Sequence, residues 1–384
     1  MAKKRIGILT GGGDVAPLNC VIASALEESK VNGIELLGFI KGWQGLLDGN
    51  YAELSGVKFS VQTGGTILKS SRVNLRNIEG AEKNISNSLE KNKIDGLIII
   101  GGEDTLSNSL LLRNIPQVLI SKTIDNDVGI INKEEIVNYF TLGYPTAAEK
   151  ISSYVSLNEG LRTTAYSHER IIIVESMGMH AGWLALASSS GHPDFIIIPE
   201  FPLDYDLLID KIKSKYSIQK NLVIVISEGS RWKDGGYISA NENDLDSYGH
   251  PKFLGAATIL ADRLKRDLES KLDTRNINFV NPSYLYRSGK PNDLDKSAGR
   301  ILGKKAIKLL GKNCNEPVFL TLQKSGSEFE AKEFNLKNIS NIEEIHRFVD
   351  ERLYNSSEFN ITQEGKDYLS FIIKELPEID YGIF

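Results

Sequence analysis

Ile94-Asp95-Gly96-Leu97-Ile98-Ile99-Ile100 runs directly into Gly101-Gly102-Glu103-Asp104-Thr105 and then into the helix-like Leu106–Leu112. A short, continuous apolar run that breaks at glycines reads as a strand buried on both faces, followed by a turn into a helix. The same order opens the chain: Arg5–Leu9 passes through Thr10-Gly11-Gly12-Gly13-Asp14 into the apolar-periodic Leu18–Leu26. Further strands are expected at Glu35–Ile40, Val118–Ile120, Arg170–Glu175, Phe195–Ile198, Leu222–Ser227 and Val318–Gln323. Helices are expected at Ala147–Leu157, 256–271, Leu294–Leu310 and Glu364–Lys374, and Gly42-Trp43-Gln44-Gly45 reads as a turn. Alternation of this kind implies an α/β fold, a mainly parallel sheet flanked by helices. No Pro/Gly/Ser-rich linker divides the chain, so two interleaved lobes are expected rather than beads on a string. The boundaries follow as 1–140 for the N-terminal lobe, 141–310 for the C-terminal lobe, and 311–384 as a segment packing back across them.

Composition narrows the function classes. The 384 residues include 45 basic and 50 acidic side chains, a formal charge of −5, which gives no overall electrostatic case for nucleic acid or an anionic membrane. Any anionic ligand must therefore be held by local positive groups. The only cysteines, Cys20 and Cys314, match neither a disulfide framework nor a metal-site spacing, and a reducing cytoplasm fits best. The apolar run near Met1 is too short for a signal-peptide core or a membrane span.

Chemistry concentrates in Ser121-Lys122-Thr123-Ile124-Asp125-Asn126-Asp127, which follows the Val118–Ile120 strand. Two carboxylates at i and i+2 in extended chain share a face, and Lys122 adds a positive charge beside them. A base, a metal-facing acid and a phosphate clamp can sit together there, which is what phosphoryl transfer requires. Taken alone, Asp-Asn-Asp is also a common solvated turn. The glycines at 11–13 can bring backbone N–H groups close to an oxyanion at a helix N-terminus, or simply form a tight turn. Thr63-Gly64-Gly65-Thr66 with Ser70-Ser71-Arg72 offers further donors, or a surface loop.

The motifs LTGGGD, GGTILKSSR, GGEDT, KTIDND, SHERIIIVESMG, SEG and YLYRSGKPNDLD occur in this order between about residues 5 and 303. Together they resemble the phosphofructokinase family. The resemblance implies a phosphoryl donor beside the glycine loops, fructose 6-phosphate as acceptor, Mg²⁺ as cofactor, and a homo-oligomer, dimer or tetramer, whose sites share residues. It assigns Asp125 as the base that takes the proton of the sugar 1-hydroxyl, and Asp127 as the group that orients it and helps bind magnesium. Thr123 falls in the same motif and is assigned to both catalysis and sugar binding. Gly12 and Gly13 would lie against the donor phosphates, and Arg72 would offset charge on the transferring group. Arg170 would reach the 6-phosphate from a neighbouring subunit, Met177, Gly178 and Glu228 would line the sugar, and Tyr284 and Arg287 would hold its far end.

In ATP-using members the residue after the acid of the GGDG motif is glycine, and glycine precedes the threonine of TIDND; here those places hold Asp104 and Lys122. A carboxylate at the first fills room and repels a third phosphate, and an ammonium at the second neutralises a compact diphosphate. The pair is similar to the pyrophosphate-dependent branch, with Glu103 and Asp104 as the carboxylates expected near Mg²⁺. Several positions depart from the family pattern. Met179 stands where an arginine is usual, with Arg231, Lys69 or His180 as candidate substitutes. Lys69 replaces a glycine, Asp14–Leu18 replaces a proline-glycine turn, and Arg275 does not align with the family's sugar-phosphate arginine. The alternatives are ATP as donor, another acceptor, or a non-catalytic regulatory subunit that binds a sugar phosphate.

Overall fold

The computed structural model describes residues 3–129, 131–132, 135–136, 138–157, 159–245, 251–253, 255–268, 276–312, 316–336, 339 and 342–378. Cys314 and Arg275 lie outside them, as does the last part of the helix expected over 256–271, which runs from Ala256 to Leu268. The chain forms two compact units. One comprises 1–146 and 287–347, the other 147–286 and 348–384.

The first unit is built on an eight-stranded sheet. Seven strands lie in the order Glu328–Asn335, Val318–Ser325, Gln117–Thr123, Gly96–Gly101, Arg5–Thr10, Glu35–Phe39, Tyr51–Glu53, and Leu142–Gly143 pairs with Gln117–Thr123. The inner strands are parallel, and the two outermost pair antiparallel with their neighbours. Gly96–Gly101 is buried along its whole length, as a strand covered on both faces must be. Chain order reverses between Arg5–Thr10 and Gly96–Gly101, so the loops after these adjacent strands diverge and leave a crevice at their carboxyl ends.

Residues 287–310, expected in the second lobe, belong to this first unit because the helix Asp293–Gly311 packs on Leu18–Val31. Two glycines one helical turn apart permit the approach. A Cβ on Gly299 would stand 2.9 Å from Cys20 Cβ, and one on Gly303 would stand 2.1 Å from Ser24 Oγ. Cys20 is buried there as a free thiol, which burial pushes up to about 11. The expected turn at Gly42–Gly45 is instead the start of a helix, Trp43–Asp48, because Gly42 takes φ 58° and lets Trp43 turn inward, where its indole N–H donates to Thr105 O at 3.1 Å.

The second unit holds a four-stranded parallel sheet ordered Phe195–Ile197, Leu222–Ser227, Ile171–Ser176, Ile277–Val280. Its core includes Ile173, Ile224 and Ile226 of the strands and Leu260 and Leu264 of the 256–268 helix. The C-terminal helix is shorter than the expected Glu364–Lys374, spanning Gln363–Leu369. No helix among the described residues is long and apolar enough to cross a membrane.

Glu200 fastens this unit's turn after Ile171–Ser176 to its C-terminal segment. Its carboxylate accepts from Gly182 N at 2.9 and 3.1 Å and from Val349 N at 2.9 Å. Burial raises the carboxyl to about 7, outweighing the backbone donors that favour the anion. The neutral form is thus the better fit to the fold, so this stabilisation is complete below the usual value of 4.5 and is lost as pH climbs through about 7. That gap corresponds to about 3 kcal/mol of stability missing at pH 8. Glu200→Gln keeps the acceptor without the charge. Denaturant titration should show its stability advantage over wild type growing by that order between pH 5 and pH 8, and an advantage that stays flat with pH would show that Glu200 does not titrate in this way.

Candidate active site

The glycine loop of the first unit is shaped by one threonine. Gly11 and Gly101 both press on Thr105: a Cβ on Gly11 would lie 2.4 Å from Thr105 Oγ1, and one on Gly101 would lie 2.2 Å from Thr105 Cβ. Gly11 N donates to Ile100 O at 3.0 Å, carrying the strand pairing one residue into the loop. Gly12 then turns with φ 77°. The 63–72 segment closes over it: Ser70 Oγ donates to Gly12 O at 2.5 Å, Gly12 N to Ser71 O at 3.4 Å, and Thr10 Oγ1 to Lys69 O at 3.1 Å. Lys69 itself takes φ 60°, a conformation suited to glycine, while its side chain is exposed.

Lys122 points at this loop from Gln117–Thr123, the strand on the far side of Gly96–Gly101. The residue is 3% exposed, and its Nζ donates to Gly13 O. A Cβ on Gly12 would stand 3.3 Å from that nitrogen, and one on Gly13 would stand 2.7 Å from Nη1 of Arg287. Arg287, expected at the far end of the sugar phosphate, therefore lies against the donor loop. The Lys122 ammonium is lowered to about 7 by burial first, then by the positive charge of Arg287 and, less, of Arg72; Asp14 and Asp125 oppose the shift. Three cations thus act together beside the glycine backbone, an arrangement suited to a small, highly charged anion.

The acids follow at the end of the same strand. Asp125 N donates to Thr123 Oγ1 at 3.1 Å, and Asn126 takes φ 57°, which places Asp125 and Asp127 on either side of a left-handed residue. Oδ1 of Asp127 is buried and has no hydrogen-bond partner among the described residues. Burial raises the Asp127 carboxyl, Glu103 raises it further, and His346 opposes the shift. Glu103 sits in the first turn of the helix Glu103–Ser109, with Oε2 3.2 Å from His346 Nε2, and Asp104 beside it is exposed. Among the described residues no three His, Cys, Asp or Glu side chains converge as a ready-made metal site.

Three residues to which the sequence assigned no role complete this unit's framework. Arg347, fully buried, bonds the backbone around Asn126, and His346 meets Glu103. Asp295, also fully buried, accepts from Gly143 N at 2.9 Å and from Thr146 N at 3.0 Å, and the hydroxyl of Thr146 donates to it as well. A buried charge at a place with no apolar period was the available signal, and only the fold shows which charges are buried.

In the second unit, Met177, Gly178 and Glu228 come together at the ends of two adjacent strands. Gly178 N donates to Glu228 Oε1 at 3.1 Å, Ser227 Oγ donates to Gly178 O at 2.6 Å, and Gly178 takes φ 126°. Arg170 lies at the opposite end of the six-residue Ile171–Ser176 strand, about 20 Å from Met177 at the usual rise, and donates to Thr164 Oγ1 at 2.8 Å. Tyr284 is 73% exposed. Of the candidate substitutes for the arginine missing at Met179, Arg231 stacks on Tyr237 at 3.9 Å and donates to Gly235 O at 3.1 Å, and His180 is exposed.

Comparison with known proteins identifies the family. The profile of the family described as Phosphofructokinase matches residues 5–310. The chain is 38% identical over 317 residues to the pyrophosphate–fructose 6-phosphate 1-phosphotransferase of Dictyoglomus thermophilum, covering 81% of this chain and 87% of that one. It is 36% identical over 310 residues to the ATP-dependent 6-phosphofructokinase 3 of Streptomyces coelicolor, covering 79% and 86%. The solved pyrophosphate-dependent phosphofructokinase of Nitrosospira multiformis shares the fold, with a TM-score of 0.80 at 20% identity over 100% of this chain and 95% of that one. With a family match over most of its length and close relatives that span it, the chain belongs to the phosphofructokinase family.

Proposed function

We propose that the protein is a magnesium-dependent phosphotransferase that moves a phosphoryl group reversibly between pyrophosphate and the 1-hydroxyl of fructose 6-phosphate. The observation that carries this reading is the buried Lys122 ammonium at Gly13, with Arg287 and Arg72 as its cationic neighbours. A buried ammonium with further cations near it is costly until an anion joins them, and a diphosphate brings the needed charge in a small volume. The exposed carboxylate of Asp104, two residues beyond Gly102, disfavours a longer polyphosphate chain.

Asp125 accepts the proton of the attacking hydroxyl, and Asp127 orients that hydroxyl. Arg287 gives the loop a third cation, so charge neutralisation does not depend on a side chain at position 179. Magnesium fits the acids, since Asp127 Oδ1 is a buried oxygen without a hydrogen-bond partner among the described residues and Glu103 is its anionic neighbour. Both are hard oxygen donors, and a cation that keeps several waters needs few protein ligands. When bound, it neutralises charge on the transferring group. Met177, Gly178 and Glu228 recognise the sugar. Arg170 stands too far along its own strand to join them, which supports its serving another copy in a homo-oligomer.

Three measurements test this reading. Fructose 6-phosphate and Mg²⁺ should support turnover with pyrophosphate; turnover with ATP alone would overturn the donor assignment, and turnover with neither would leave a binding protein or another acceptor. Asp125→Ala should lower kcat by about 10²–10⁴-fold, with fructose 6-phosphate affinity by calorimetry within a few fold of wild type, whereas parallel losses would remove Asp125 as base. The double change Asp104→Gly with Lys122→Gly should raise the ratio of ATP to pyrophosphate turnover, and an unmoved ratio would place donor selection elsewhere.

A further inference from the structure

We propose that Arg347 is the positioning residue for Asp125 and Asp127, supplied by a part of the chain beyond the family profile, which ends at residue 310. The inference rests on the roles given above to the two aspartates. Arg347 is fully buried, and its guanidinium is spent on the turn between them. Nε donates to Asn126 O at 2.6 Å and Nη2 to Asn126 Oδ1, while Nη1 donates to Asn138 O and, at 3.1 Å, to Tyr139 O. Its own N–H donates to Asp127 O at 2.9 Å, and Gly129 N donates to Ile345 O at 2.8 Å.

The contacts fix one of the conformations open to asparagine. Asn126 has φ 57°, a left-handed value that asparagine visits more readily than most non-glycine residues and that its partners here select. Arg347 takes both the carbonyl and the side-chain oxygen of that one residue, and Thr141 N donates to the same Oδ1 at 2.9 Å. A planar fork bonded at several points fixes orientation as well as distance. The room for it is specific too, because a Cβ on Gly129 would stand 3.0 Å from Arg347 Cδ. One residue earlier, His346 reaches Glu103. The segment 345–347 therefore backs the whole acid cluster, and a base displaced by about 1 Å loses roughly two orders of magnitude in rate.

The test compares Arg347→Met and Arg347→Lys with wild type, using whichever donor wild type turns over. Calorimetric titration with that donor and Mg²⁺ counts intact donor sites, so partial unfolding does not register as lost chemistry. The expectation is at least a tenfold fall in turnover per donor site for Met and a smaller fall for Lys, with donor affinity within threefold because Lys122 and the glycine loop are untouched. Asn126→Gly keeps the left-handed backbone and removes Oδ1; it should lose turnover per site in the same direction and serves where Arg347→Met does not fold. Unchanged turnover per site in these variants, or donor affinity falling by the same factor, overturns the proposal. If wild type turns over neither donor, the functional reading fails separately. Amide hydrogen exchange over 123–129 then decides: at least tenfold acceleration in Arg347→Met relative to the Gly96–Gly101 strand supports positioning, and an unchanged rate overturns it.

Discussion

The first unit depends on a steric constraint at the carboxyl ends of its two central strands. Arg5–Thr10 and Gly96–Gly101 run side by side, and the loops leaving them share one space, already filled by Thr105. Gly11 and Gly101 must both lack a Cβ for that packing to close. With it closed, Gly12 and Gly13 are delivered beneath Lys122, and the helix Glu103–Ser109 begins with its two acids at the same edge. The position is the reversal point of the strand order, where an open parallel sheet leaves its crevice. The chemistry at this edge is therefore set by sheet topology before any side chain is chosen.

Electrostatics divide the two units. In the first, burial, helped by the positive charge of Arg287, holds Lys122 low enough to titrate near neutrality against the pull of Asp14 and Asp125. In the second, backbone N–H donors receive the carboxylates of Glu175 and Glu200, and buried Asp194 pairs with Arg162 and Lys215. Glu175 accepts from Ala257 N at 2.9 Å, much as Glu200 accepts from Gly182 and Val349. The first unit thus carries a buried lysine lowered toward neutrality, and the second pairs its buried Asp194 internally.

Much of this was legible in the sequence. Continuous apolar runs such as Ile94–Ile100 and Leu222–Ser227 carry their own signature, because a strand covered on both faces has no polar side to alternate. The glycine loops and the aspartate pair were legible for a similar reason, since each is local. The assignment of roles leaned on family resemblance. It was weakest where the chain changes unit: Tyr284 and Arg287 share a motif, yet the division falls between Tyr286 and Arg287, so the two belong to different units. Arg347, Asp295 and Glu200 were not legible as structural anchors. What selects them is a set of partners far away in the chain, and no local pattern records a partner 221 residues distant. The helix at Trp43–Asp48 was obscured by glycines that look like a turn, although Gly42 is there to start a helix.

That separation also bears on how the protein is made. Asn126 and its aspartates emerge early in synthesis, whereas the arginine that holds them is added 221 residues later. At ordinary elongation rates this is a delay of roughly 10 to 40 s. For most of that interval the first unit lacks the strand Val318–Ser325 as well as Arg347, so its sheet and its acid turn are both finished late. The left-handed turn at Asn126 thus gains its Arg347 contacts only late in synthesis.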